Sequence, residues 1–185
     1  MKLFFTFLLV LLMAGASFAQ DDTAAAKRNL CYTQDIEVEK GTSFPVNVYL
    51  NNVDTLAGMQ VPVYYRSEEV DLTCDSITIA GSRCADFALN TTKIEPIGKV
   101  AFFAFIAMID PDKDVPPLYP GDGQVATLWF TAPEDVKSGK VELYSGENAI
   151  LPHPKIDYSF LFWTPGPPVP EQKECDYKAG YITVK

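Results

Sequence analysis

His153 is the only imidazole in the chain, and it stands in the run Leu151-Pro152-His153-Pro154 with no Gly-x-Ser-x-Gly elbow to supply a nucleophile. Zinc sites built on several histidines cannot be assembled from one, and a lone loop histidine reads as solvated. Carboxylates are plentiful, with 24 Asp+Glu against 15 Lys+Arg, so a hydrolase reading would require a pair of them to converge in a cleft, as in a glycosidase. Asp110, Asp112 and Asp114 alternate in Asp-Pro-Asp-Lys-Asp, which is how loops present oxygens to Ca²⁺. An EF-hand loop would need Gly at its sixth position and Glu at its twelfth, where Val115 and Gly121 stand. Lys113 adds a positive charge to the cluster, so a solvated acidic loop is the reading taken, with calcium as its alternative. No catalytic residue, metal ligand or cofactor is assigned.

Redox chemistry rests on Cys31, Cys74, Cys84 and Cys175, which include no Cys-x-x-Cys pair. Their compartment is read from the N-terminus. Met1-Lys2 is a basic start, Leu3 to Met13 is apolar apart from Thr6, and Ala14 to Ala19 supplies small residues before Gln20, the pattern of a secretory signal over residues 1–19. The apolar run falls short of the roughly 20 residues that span a bilayer, so no membrane insertion is expected, and no Cys follows the cut to carry lipid. An exported chain with four cysteines predicts two disulfides. Of the three connectivities, local Cys74–Cys84 and terminal Cys31–Cys175 are adopted, worth roughly 2–3 and nearer 5 kcal/mol in the chain-entropy model. A formal charge of −9 opposes nucleic acid as a partner. Asn90-Thr91-Thr92 is a glycosylation sequon, a pattern that often arises by chance.

The elements that must position these residues read as strands. With 185 residues, 48% of them hydrophobic, the chain can bury one core. Residues 20–29 read as a flexible lead-in and 30–185 as the domain. Phe44, Val46, Val48 and Leu50 alternate with Ser43, Pro45, Asn47 and Tyr49, and Met59, Val61, Val63 and Tyr65 alternate with Gln60, Pro62 and Tyr64. Lys99 to Ile109 is continuously apolar, as for a central strand covered on both faces. Strands are also expected at Gln34 to Glu39, Val125 to Ala132, Lys140 to Tyr144, Tyr158 to Trp163 and Tyr181 to Val184. The proline-rich stretch Thr164 to Pro170 reads as a rigid loop inside the domain. Eight or nine short strands separated by Gly, Pro and Asn predict an all-β sandwich or barrel.

The order of these segments resembles a cohesin domain over about Gly41 to Val184. The resemblance is carried by Phe44 to Leu50, Leu56-Ala57-Gly58-Met59-Gln60-Val61-Pro62-Val63-Tyr64-Tyr65, Gly98 to Phe105, Pro120 to Phe130 and the closing Gly180-Tyr181-Ile182-Thr183-Val184. It implies a jelly-roll sandwich of about nine strands, no catalysis, no obligatory cofactor and a dockerin-type partner held on one sheet face. The four cysteines and the proline-rich insertion depart from that pattern.

Tyr64, Trp129 and Trp163 are the aromatics suited to anchor a protein or stack on a sugar ring. Alternation points Tyr64 and Trp129 away from the core, and because the cohesin resemblance implies a partner docked on one sheet face, Gln60, Pro62, Tyr64, Thr127 and Trp129 are assigned to that face, given that their strands belong to it. The expectation is an exported, non-catalytic module that binds a protein. The alternative is a carbohydrate-binding module, which would show a line of coplanar exposed aromatics on which polysaccharide stacks.

Overall fold

A computed structural model of the chain describes residues 28–107, 115–145, 158–166 and 169–185. The expected leader over 1–19, His153 and the Asp110, Asp112, Asp114 cluster lie outside the described residues. Thirteen strands, and no helix, occur among the described residues. They are β1 (Asn29–Thr33), β2 (Ile36–Val38), β3 (Thr42–Asn52), β4 (Gly58–Arg66), β5 (Thr73–Thr78), β6 (Leu89–Glu95), β7 (Val100–Ile106), β8 (Gly121–Ala132), β9 (Gly139–Tyr144), β10 (Leu161–Trp163), β11 (Gln172–Lys173), β12 (Cys175–Lys178) and β13 (Gly180–Val184). The count exceeds the expected nine because β1, β5, β6, β11 and β12 lie outside the segments read as strands, β11 and β12 being edge pieces of two and four residues. Asn29, placed in the lead-in by composition, opens β1 and is buried.

The strands form the two layers of a sandwich. The smaller sheet has the order β12-β1-β3-β8-β5. In the larger sheet β6, β7 and β4 run side by side, and the far edge of β4 is shared. β10 pairs with Gly58, Met59 and Gln60, while β9 pairs with Tyr64, Tyr65 and Arg66 and leads on to β13 and β2. Neither of those two strands pairs with Val61–Val63. Pro62, which lacks an amide donor, sits in that interval.

Alternation puts Val46, Val48 and Leu50 of β3 and Leu128 and Phe130 of β8 on one inner face. They meet Val61 and Val63 of β4, Phe103 and Phe105 of β7, Phe162 and Ile182 on the other, all within one buried cluster. Two polar anchors tie the loops at one end. Asn29 donates to Asp54 Oδ2 (2.8 Å) and the Glu174 carbonyl (3.0 Å) while its own oxygen accepts from the amides of Val53 and Asp54. Arg83 donates to the carbonyls of Leu50, Tyr119 and Gly121 and to Asn52 Oδ1, at 2.7–3.0 Å. At Gly180, a Cβ would stand 2.7 Å from both the Thr33 carbonyl oxygen and Thr33 Oγ1. The closing strand can therefore pass β1 only with glycine there.

Candidate docking face

Across β10, β4, β7 and β6 the outward side chains lie in register. Trp163 is opposite Gly58, Gly58 opposite Ile106, and Ile106 opposite Leu89. The next row is Leu161, Gln60, Ala104 and Thr91, followed by Pro62, Phe102 and Lys93. The last is Tyr144, Tyr64, Val100 and Glu95. Directly opposed residues share a face, so these rows form the outer surface of the larger sheet, while Met59, Val61 and Val63 point into the core.

That surface divides into two halves. At the Trp163 end it is apolar and open: Leu89 is 41% exposed, Ile106 39%, and Trp163 is half-buried beside them. Thr91 and Lys93 supply polar neighbours. At the Tyr64 end it is covered. Tyr64, Val100, Phe102 and Tyr158 form a second buried cluster, with Tyr144 stacked on Tyr64 at 5.3 Å and Tyr158 edge-on to Phe102 at 5.6 Å. The Arg66 guanidinium lies over both stacked rings, 5.5 Å from Tyr64 and 5.6 Å from Tyr144. Burial raises the Tyr64 phenol above its ordinary pKa, Tyr144 adding to the shift and Arg66 opposing it. Gln60 Oε1 sits buried between the halves with no hydrogen-bond partner, a costly arrangement.

The residues assigned to one docking face are therefore split between two. Gln60, Pro62 and Tyr64 do lie on the outer side of β4, as alternation required, but Pro62 and Tyr64 are buried there rather than exposed. Thr127 and Trp129 belong to β8 of the smaller sheet, on the opposite side of the sandwich. Period two tells which side of its own strand a residue takes, not which sheet the strand joins. Nor does it show what later segment covers that side. Trp129 is 39% exposed between Pro45 and Ser76, its partners in register. Thr127 is buried, donating to Asn47 Oδ1 at 3.0 Å and accepting from Gln124 Nε2 at 2.6 Å. Tyr32 and Tyr49 stack on each other at 5.2 Å and 16°, with the Tyr32 hydroxyl donating to Asp122 Oδ1 at 3.1 Å and the Tyr49 hydroxyl accepting from Asn47 Nδ2 at 3.3 Å.

Leu89, Ile106 and Leu161 escaped the sequence reading. β6 carries no clear alternation, and the unbroken apolar run around Ile106 does not mark which residues face out. Trp163, considered for its ring alone, is the aromatic that joins the open row.

The cysteines correct the expected pairing in part. All four thiols are free in the structure. Cys74 lies opposite Phe130 on β8, whereas the amide next to Cys84, that of Arg83, bonds the carbonyl of Gln124. Those β8 positions are six residues, about 20 Å, apart, well beyond the reach of a disulfide. The chain runs on along β8 instead of turning back as a hairpin. Cys31 and Cys175 lie on adjacent parallel strands. Among the described residues no group of three or more side chains suited to a metal is present.

No family model and no curated relative matches the sequence. Solved structures match the fold. The seventh ScaB type I cohesin of Pseudobacteroides cellulosolvens superposes with a TM-score of 0.62 at 16% identity, covering 85% of this chain and 92% of its own. A Clostridium thermocellum cohesin, Coh-OlpA solved in complex with the dockerin Doc918, gives 0.65 at 11% identity, covering 86% and 100%. A non-cellulosomal cohesin from Archaeoglobus fulgidus gives 0.58 at 12%, covering 86% and 92%. The chain has a cohesin-type fold.

Proposed function

We propose that this chain is an exported, non-catalytic recognition module whose partner is a dockerin-type protein, docking on the outer face of β10, β4, β7 and β6. The observation that carries the reading is the in-register row Trp163, Gly58, Ile106, Leu89. It is a contiguous apolar strip on a rigid sheet, with polar Thr91 and Lys93 beside it. Stable interfaces combine an apolar centre, a polar rim and little backbone rearrangement. The cohesin-type fold supports the reading, since several similar structures were solved in complex with dockerins.

A polysaccharide would call for aromatic faces in a line. Trp129 is 39% exposed, while Tyr32 and Tyr49 are half-buried and each has one ring face taken by the other, so the sugar reading is not favoured.

The test is titration of immobilised dockerin modules with the full chain and three variants, Ile106→Asp, Leu89→Asp and Trp129→Ala, each checked for an unchanged unfolding midpoint. Binding is expected to weaken by about 30-fold or more in the first two and to stay unchanged in Trp129→Ala. Loss confined to Trp129→Ala would move the site to the smaller sheet. Retention on insoluble polysaccharide with no dockerin bound would replace the reading.

A further inference from the structure

Two of the four thiols are placed differently from the rest. β1 and β12 run parallel with Asn29 opposite Cys175 and Cys31 opposite Tyr177, so Cys31 and Cys175 share the inward face of the ladder one diagonal step apart. The Cys175 thiol donates to the Asp176 carbonyl at 3.4 Å, and a charge on Cys175 would push the Cys31 thiol further up, as befits neighbours across one ladder. Cys31 is fully buried. Cys175 is partly exposed and lines an open cleft of about 600 Å³ with Arg28, Phe160, Lys173 and Tyr177. Cys74 and Cys84 are buried at distant points alongside β8 and do not line this cleft.

We propose that Cys175 and Cys31 form a single thiol–disulfide exchange site that opens into this cleft, Cys175 being the entry thiol and Cys31 the resolving one. The oxidant is a small-molecule disulfide. The Cys175 thiolate attacks one sulfur of that disulfide, whose S–S bond breaks and releases one thiolate, leaving a mixed disulfide on Cys175. Cys31, deprotonated, then attacks the Cys175 sulfur, forming the Cys31–Cys175 bond and expelling the second thiolate. The protein loses two electrons and two protons, and the oxidant is reduced to two thiols. Burial raises both thiols above their ordinary pKa, Cys175 to about 12. The exchange therefore quickens as pH rises, because the thiolate is the nucleophile. The product joins the strand that opens the described fold to one near its end, leaving Cys74 and Cys84 as thiols.

The full reduced chain, incubated with oxidised glutathione at mildly alkaline pH, tests this by intact mass and by peptide mapping under non-reducing conditions. One cross-link is expected, between Cys31 and Cys175. Its rate should rise with pH, and the unfolding midpoint should shift upward, reversed by dithiothreitol. Cys31→Ser and Cys31→Ala should each stop at one glutathione adduct on Cys175, while Cys175→Ser should leave Cys31 unmodified until the chain unfolds. A cross-link that involves Cys74 or Cys84 in the folded chain would overturn the proposal. So would a Cys175 as slow to react as Cys74, or Cys31 variants that accumulate no adduct.

Discussion

Trp163 packs directly on Gly58: a Cβ at residue 58 would stand 3.2 Å from the indole carbon Cε3 and 3.1 Å from the Phe105 carbonyl oxygen. The ring can move but the backbone oxygen, held in the ladder between β4 and β7, gives little. Gly58→Ala is expected to cost about 1–2 kcal/mol and to lift Trp163 toward solvent. The chain has two tryptophans, so emission in a Trp129→Phe background reports this ring alone. A red shift with a lower urea midpoint is the expected result, and an unchanged spectrum would show that the ring does not depend on the bare α-carbon.

Tyr64 and Trp129 looked alike in sequence and differ in setting. Tyr64 is fully buried between Tyr144 and the Tyr158 side of the sheet, so Tyr64→Ala should lose about 3–5 kcal/mol. Trp129, on an exposed face, should lose less than about 1 kcal/mol on truncation to Ala. Urea unfolding of the two variants side by side decides it, equal losses being the contrary outcome.

Arg83 serves four acceptors from three parts of the chain, which needs the planar fork of a guanidinium. Arg83→Lys keeps the charge and reaches fewer of them, leaving carbonyls unpaired. A loss of about 2–3 kcal/mol is expected, with faster amide exchange around Gly121. A loss within about 0.5 kcal/mol would mean that water replaces the fork without cost.

Alkali should unfold the reduced protein by a route set by its buried acids. Burial raises Cys74 and Cys84 from 9.0 to about 12, Asp75 adding to the first and Arg83 opposing the second. Burial likewise raises Tyr65 from 10.0 to about 12. Each group is neutral when protonated, and the folded chain keeps the proton to higher pH than the unfolded one. The stability they contribute is whole below about pH 9 and falls as pH climbs toward about 12. Urea midpoints should be level from about pH 7 to 9 and drop beyond, whereas a midpoint rising over that upper range would contradict the assignment.

Much of the fold was legible because it is local. Alternation along β3 and β4 identified Val46, Val48, Val61 and Val63 as core without reference to any partner strand. The site was less legible because it is a property of register between strands. Ile106 belongs to the open row only because Gly58 and Leu89 flank it, and no spacing in one segment encodes that. Tyr64 was assigned correctly to the outer side of its strand and wrongly to solvent, since Tyr158, far along the chain, lies over that end of the sheet. The cysteines show the same divide. Cys74 and Cys84 are near in sequence but strung out along β8, while Cys31 and Cys175 are distant in sequence and neighbours in space.

The two parallel pairings, β1 with β12 and β2 with β13, have a mechanical meaning. A tether pulling on the chain ahead of Asn29 while another pulls beyond Val184 drags each such pair lengthwise in opposite directions. Every ladder bond then bears load at once, in shear, instead of parting one after another like a zipper. A module strung between two anchors would for that reason hold under traction that peels an antiparallel hairpin open.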